Sequence, residues 1–327
     1  MKKILLASTA LILSGGMAAA QGLSIGGQGR MGVQYQSGSP FATATGGTTG
    51  FRTEARFQLN FAAMVEADHG LTFGAFSRVR MQTPGGPATV NAGGTFSGNR
   101  VFAEAAGFRL TFGNQDGAIV THGTSHGYAG GCGIGYEGGQ QCGDTAGLIG
   151  TTQAAPGTAA TWFGSIGGNA VNSGGQQTIH ASYTAGDFGG AISAERTRGF
   201  ELGVRGRFDA ITVAAGYQRA RGGTARIATV SAHYNGGDWG VGAIVARIGS
   251  GAPGVTNFNV SGNVMLGGGN LYGYVGRVNS GTAFGASYSY GLGGGASLVA
   301  GFERSNNIFV GGNPRTTTAS VGVVFNF

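Results

Sequence analysis

Residues able to do covalent or metal chemistry are few in this chain. Cys132 and Cys142 are its only two cysteines, each beside glycine, with His122 and His126 shortly before them. His-x3-His followed by two Cys is a zinc set by residue type, but its spacing fits no common finger. In an exported chain the cysteines read first as a disulfide closing a short Gly-rich loop. Gly27-x-Gly29-x-x-Gly32 matches the dinucleotide fingerprint literally, yet it continues as an alternating stretch where the fingerprint needs a helix. No G-x-S-x-G nucleophile elbow sits between a strand and a helix. No catalytic residue, metal site or enzymatic activity is therefore assigned, and charged side chains are left to carry function.

Positions 1–20 read as a cleaved signal peptide: Lys2 and Lys3, an apolar run from Ile4 to Leu13, then Ala18-Ala19-Ala20 before Gln21. The run is too short to span a bilayer as a helix. Its removal takes away both lysines and leaves 18 Arg against 13 acids, a mild +5. That balance, with cations dispersed along an exported chain, sets nucleic-acid binding aside. Gly makes up 70 of 327 residues, about three times the usual share, which argues against a mainly helical fold. Aromatic and β-branched residues are spread throughout, which argues against disorder.

Alternation supplies the elements. From Phe51 to Glu66 the odd positions include Phe57, Leu59, Phe61 and Val65, and the even ones Arg52, Glu54, Arg56, Gln58 and Asn60. That is a strand with one wet and one apolar face. The next stretch, to Gln82, sets Leu71, Phe73, Ala75, Val79 and Met81 against Thr72, Arg78 and Arg80 across a hairpin. Similar stretches recur at about 23–36, 100–106, 108–113, 177–184, 188–196, 200–208, 211–219, 226–234, 239–247, 256–266, 270–278, 282–290, 295–304 and 316–327. Sixteen weakly alternating strands predict an all-β fold, a 16-stranded antiparallel transmembrane barrel spanning 21–327 as one domain. A β-sandwich or β-helix would also alternate, so connection lengths are needed to choose. Short turns such as 185–187, 235–238 and 292–294 alternate with longer connections at 37–50, 83–99 and about 114–176, as in outer-membrane barrels. Tyr183, Phe188, Phe208, Tyr234, Trp239, Tyr290 and Phe327 lie on the apolar face near the short turns, where an interfacial girdle belongs.

On these residues the chain resembles the general porins of α-proteobacteria, the Rhodobacter type in the outer-membrane porin superfamily. The resembling segments are Gly29-Arg30-Met31-Gly32-Val33, Gly70-Leu71-Thr72-Phe73-Gly74-Ala75, Val101-Phe102 with Leu110-Thr111-Phe112-Gly113, Phe284-Gly285-Ala286-Ser287-Tyr288 with Gly293-Gly294-Gly295-Ala296-Ser297, and the terminal Gly322-Val323-Val324-Phe325-Asn326-Phe327. The middle third matches in pattern alone. The resemblance implies a homotrimer in the Gram-negative outer membrane that passes ions and small hydrophilic solutes by passive diffusion through a water-filled pore. It also implies that the long third loop, about 114–176, folds into the lumen, and that Phe327 is read by the outer-membrane assembly machinery. By position it carries positive wall residues onto Arg56, Arg78 and Arg80; parity adds Arg30 and Arg109. The loop acids are Asp116, Glu137 and Asp144, and no Lys or Arg accompanies them. Acids facing guanidiniums across a narrow gap set a transverse field. With so few carboxylates in the loop, weak anion selectivity is expected. No cofactor is required, and a bound Ca2+ would have only three scattered carboxylates to hold it.

Three further expectations come from parity. His180 and His233 read as ordinary lumen residues. Gly27 and Gly29, on the outward face of the first strand, would let a neighbouring subunit pack closely. Arg196, Arg219, Arg247 and Arg304 share parity with lipid-facing residues at the external ends of their strands, where guanidiniums suit lipopolysaccharide phosphates; strand ends that curl or bulge would instead make them loop residues. Two other functions fit the same barrel: a non-conducting structural protein or adhesin, and a channel specific for one solute class.

Overall fold

A computed structural model of the chain describes residues 22–37, 50–82, 95–125, 178–195, 199–221, 226–249, 254–278, 281–305 and 316–327. Among these, sixteen strands form one closed antiparallel barrel in which β1 pairs with both β2 and β16. They are β1 (Gly22–Ser37), β2 (Gly50–Glu66), β3 (Thr72–Gln82), β4 (Thr95–Ala105), β5 (Phe108–Gly113), β6 (Thr178–Ala185), β7 (Phe188–Glu195), β8 (Gly199–Phe208), β9 (Ile211–Ala220), β10 (Arg226–Asn235), β11 (Trp239–Gly249), β12 (Val255–Leu266), β13 (Gly269–Val278), β14 (Gly281–Gly293), β15 (Ala296–Ser305) and β16 (Thr316–Asn326). One short helix, α1 (Ala118–His122), follows β5. The strands lie where the alternation puts them, with two departures: β4 begins at Thr95 rather than 100, and β14 runs on through Leu292 to Gly293.

The burial pattern is inverted relative to a soluble domain. Ile25, Met31 and Val33 of β1 are exposed while Gln34 is buried, and on β12 Phe258 and Val260 are exposed while Asn257, Asn259 and Ser261 are buried. An apolar exterior and polar interior suit a bilayer, and closure leaves no edge whose backbone groups would face hydrocarbon unpaired.

The two rims differ. Connections on the rim that carries both barrel ends are short, with tight turns that favour positive φ, as at Ala106-Gly107 (φ 47 and 82) and Gly267-Gly268 (φ 59 and 80). On the opposite rim the intervals between strands include 38–49, 83–94 and 114–177. The expected aromatics gather at the short-turn rim and are exposed; there Tyr234 and Trp239 lie 5.0 Å apart and Phe188 meets Phe208 edge-on at 5.4 Å.

At the seam, Gly27 N–H donates to the Phe327 carbonyl at 2.7 Å and Phe327 N–H to the Gly27 carbonyl at 3.2 Å. This corrects the reading of Gly27 and Gly29. Neither is an open landing place for a neighbour: a Cβ on Gly27 would run into the Phe327 ring, and one on Gly29 into the Phe325 ring. Glycine is needed here because the terminal strand folds its own aromatics over β1. Phe327 then stacks on Phe57, rings 5.9 Å apart and 16° from parallel.

Candidate functional site

The inward positions of β1 to β5 carry a dense set of guanidiniums. Arg30 and Arg56 face each other across β1 and β2. Arg80 and Arg78 of β3 pair with Gln58 and Asn60, the next two inward positions of β2. Arg109 of β5 pairs with Glu104 of β4 and bonds it at 3.2 Å. All five wall arginines expected from sequence thus stand on one contiguous stretch of inner wall. Arg100, which the sequence reading omitted, joins them: it pairs with Phe76, the inward position next to Arg78.

A bulge turns Arg100 inward. The β3–β4 register shifts between Phe76 and Arg78, and Gly98 takes φ 71. Before the bulge Phe96 is exposed, after it Val101 is, so the alternation of β4 changes phase across Gly98 and Asn99.

Several of these arginines are held in place. Arg30 Nε donates to Gln28 Oε1 and Arg80 Nε to Gln58 Oε1, both at 2.8 Å. The Arg100 guanidinium carbon lies 4.0 Å from the Phe76 ring centroid, and that of Arg109 3.5 Å from Phe102. Phe102 in turn lies against Gly74, where a Cβ would strike its ring. Cation–π contact and hydrogen bonding fix guanidinium planes that long side chains would otherwise leave loose.

The first part of the long loop lies against the inner wall of β7 to β10. Ala118 N–H donates to Ser193 Oγ at 2.9 Å, Ile119 N–H to Glu201 Oε2 at 3.2 Å and Ser125 N–H to Ser231 Oγ at 2.8 Å; Thr229 Oγ1 donates to the Gly123 carbonyl at 3.2 Å. Glycines make the fit possible. A side chain on Gly203 would collide with the Ala118 carbonyl, and one on Gly117 with the Glu201 carboxylate. Ile119 joins buried, inward Ile227, Ile244, Ala246, Tyr274 and Ala283 in an apolar cluster. One side of the interior is therefore packed, and the polar, half-buried side is the arginine wall.

Asp116, between β5 and α1, faces Arg100 and Arg78; burial pushes its carboxyl above the usual range, and those two cations pull it back. His180 corrects the reading as an ordinary lumen residue. It is buried, and Thr121 Oγ1 lies 3.0 Å from both His180 Nε2 and His122 Nδ1. The hydroxyl has one proton, so at least one ring donates to it. Burial, and secondarily Arg205, lowers the His122 pKa. His233 stays half-buried on the inner face. No group of three metal-ligating side chains occurs among the described residues. His126, Cys132, Glu137, Cys142, Asp144, Arg196 and the 1–20 segment lie outside the described residues.

On the outer face, strand pairing runs without a shift through Arg219, Arg247 and Arg304. They remain strand residues; Arg219 and Arg247 are exposed and Arg304 half-exposed. Arg226 and Arg277, also exposed, share their outward parity and their long-loop rim. Arg226 escaped sequence reading because it opens its strand, and Arg277 because it nearly closes its own.

A closed sixteen-stranded barrel with an apolar exterior and an arginine-rich interior wall is the architecture of an outer-membrane pore. A family model described as Gram-negative porin matches residues 7–308, and the chain belongs to that family. It is an outer-membrane diffusion channel of that family. Solved structures agree in fold. A doubly substituted porin of Rhodobacter blastica is 22% identical, with TM-score 0.69 over 93% of this chain and all of that one. A triple mutant of the Rhodopseudomonas blastica porin is 21% identical, with TM-score 0.68 and the same coverage. A structure titled "Asymmetric conductivity of engineered proteins" also gives 21% and 0.68, with the same coverage. No curated protein matches the chain.

Proposed function

We propose that solutes cross at a constriction bounded by Arg30, Arg56, Arg78, Arg80 and Arg109 on one side and by the long loop, with Asp116, Glu137 and Asp144, on the other. The observation that carries this is the contiguous inward placement of the five arginines, with Asp116 facing the same wall. Cations outnumber acids there, so the channel favours anions weakly, and passage is passive with no chemical step. Replacing Arg56, Arg78 and Arg80 together by Gln moves the reversal potential in a salt gradient away from the anion side; an unchanged reversal potential refutes the constriction. Cys132 and Cys142 form a disulfide that stiffens the loop, and the 1–20 segment is a cleaved signal.

The functional unit is a homotrimer, which cross-linking in membranes tests: monomers alone refute it. Phe327 serves as the assembly machinery's recognition residue, presented on the last strand. Arg196, Arg219, Arg247 and Arg304 contact lipopolysaccharide phosphates; what supports this is unbroken strand pairing through the last three and their company with Arg226 and Arg277. Replacing the four by Gln reduces co-purified lipopolysaccharide, and equal retention refutes the contact.

A further inference from the structure

The wall arginines are not scattered over the inner surface. They step across the sheet in order. Arg30 faces Arg56; Arg80 lies diagonally below Arg56 toward the short-turn rim; Arg78 is the next inward position on the same strand; and Arg100 lies diagonally below Arg78. Neighbouring strands are about 4.8 Å apart and successive inward positions about 6.8 Å, so consecutive members are roughly 5–8 Å apart at the backbone. Phe102 and Arg109 extend the series toward the short-turn rim.

Two observations separate this series from a merely solvated cationic wall. First, Gln28, Gln58, Phe76 and Phe102 hold Arg30, Arg80, Arg100 and Arg109 in fixed orientations. A wall that only sets a field needs charge and no orientation. Second, Arg100 Nε is buried and has no hydrogen-bond partner among the described residues, although a buried donor left unmet is costly. Asp116 lies within electrostatic reach of the Arg100 guanidinium.

We propose that this series is a binding track for organic dianions, solutes bearing two carboxylate groups that bridge consecutive guanidiniums, with Arg78 and Arg100 as its central pair. Guanidinium forks match carboxylates in a bidentate way that a point charge does not. A dicarboxylate held by two neighbours can exchange one contact at a time and so move along the series. This rests on the diffusion-channel reading and adds a preferred solute class to it.

The test is titration of succinate, against butyrate at matched ionic strength, into KCl solutions bathing single channels of the purified protein in a planar bilayer. Succinate reduces the KCl current saturably and butyrate does not. Arg100→Lys, which keeps the charge and loses the fork, raises the half-blocking succinate concentration about tenfold. Phe76→Leu, which keeps every charge and removes the stacking surface, weakens the block in the same direction. Folding of each variant is checked by its heat-modifiable migration on gels. Ohmic channels in which succinate and butyrate act alike overturn the proposal and leave the channel reading standing. So does a wild-type block in Arg100→Lys, since a diffuse field would then suffice. Absence of conductance from folded, inserted wild-type protein overturns the channel reading and the proposal with it.

Discussion

Gly203→Ala is the sharpest test of how the loop root is held. The inward face of β8 at Gly203 lies directly under α1, and an added methyl would meet the Ala118 carbonyl and the Gly123 backbone N, neither of which can swing aside. Two responses compete. Releasing residues 118–125, α1 and the three residues after it, forfeits four hydrogen bonds to Ser193, Glu201, Ser231 and Thr229, worth about 1 kcal/mol each. It also exposes Ile119, whose burial is worth about 2 kcal/mol. Keeping α1 docked and crowded costs about 1–3 kcal/mol. Crowding is cheaper, so α1 shifts on the wall without leaving it. The barrel itself, paired strand to strand all round, is unaffected. Gly203→Ala should thus fold and insert, yet show an altered single-channel conductance and greater open-channel noise than wild type. Gly190→Ala on the adjacent strand is the control: its methyl would meet ordinary contacts at 3.6 and 3.7 Å, so wild-type behaviour is expected. Gly203→Ala channels indistinguishable from wild type in conductance and noise would refute the docking described above.

Lowering the pH should loosen the same segment. Burial depresses the His122 pKa below its ordinary 6.5, so the docked state favours the neutral ring; the contribution is present above 6.5 and lost as pH falls through the depressed value. Asp116, with its carboxyl raised, contributes in the opposite sense, favouring docking when protonated and losing that contribution as pH rises through the raised value. Arg205 adds to the positive charge that a protonated His122 would face. Conductance recorded from pH 7.5 down to 4 should therefore change on the acid side in wild type and less in His122→Asn; identical profiles would remove His122 from the account. Ser193→Ala leaves the buried Ala118 N–H without its acceptor and should weaken docking by about 1–3 kcal/mol, read as added open-channel noise, with quiet channels the contrary result. At the seam, Gly27→Val should dislodge the Phe327 ring and slow folding into lipid vesicles, whereas Gly22→Val, with nothing within 4 Å of its Cβ, should not; equal rates would deny the ring its role.

The barrel was legible because period-two alternation, turn spacing and aromatic placement all carry the same information in a membrane strand. Among the wall arginines, Arg30 and Arg109 were legible because inward parity fixes their side, and Arg56, Arg78 and Arg80 because their positions match those that the family resemblance implies. Arg100 was hidden by the bulge at Gly98 and Asn99, which shifts the phase of β4 and made its first residues read as loop. The fit of Gly27 under Phe327 joins residues at opposite ends of the chain, and local pattern carries no sign of it. His180 has an inward position like any lumen residue; what distinguishes it is Thr121, which reaches it from a loop whose path alternation does not describe. Glu201 stood as an acid at an inward position of an alternating strand, and that signal could have marked it as a partner for loop backbone.

The central claim is that this arginine-walled barrel is a passive, mildly anion-favouring pore. Single-channel recording of the purified protein in a planar bilayer, with the reversal potential read under a salt gradient, tests it most directly. Stepwise ohmic openings with reversal displaced to the anion side are the predicted result. Silence from protein shown to be folded and inserted, or a reversal firmly on the cation side, would contradict it.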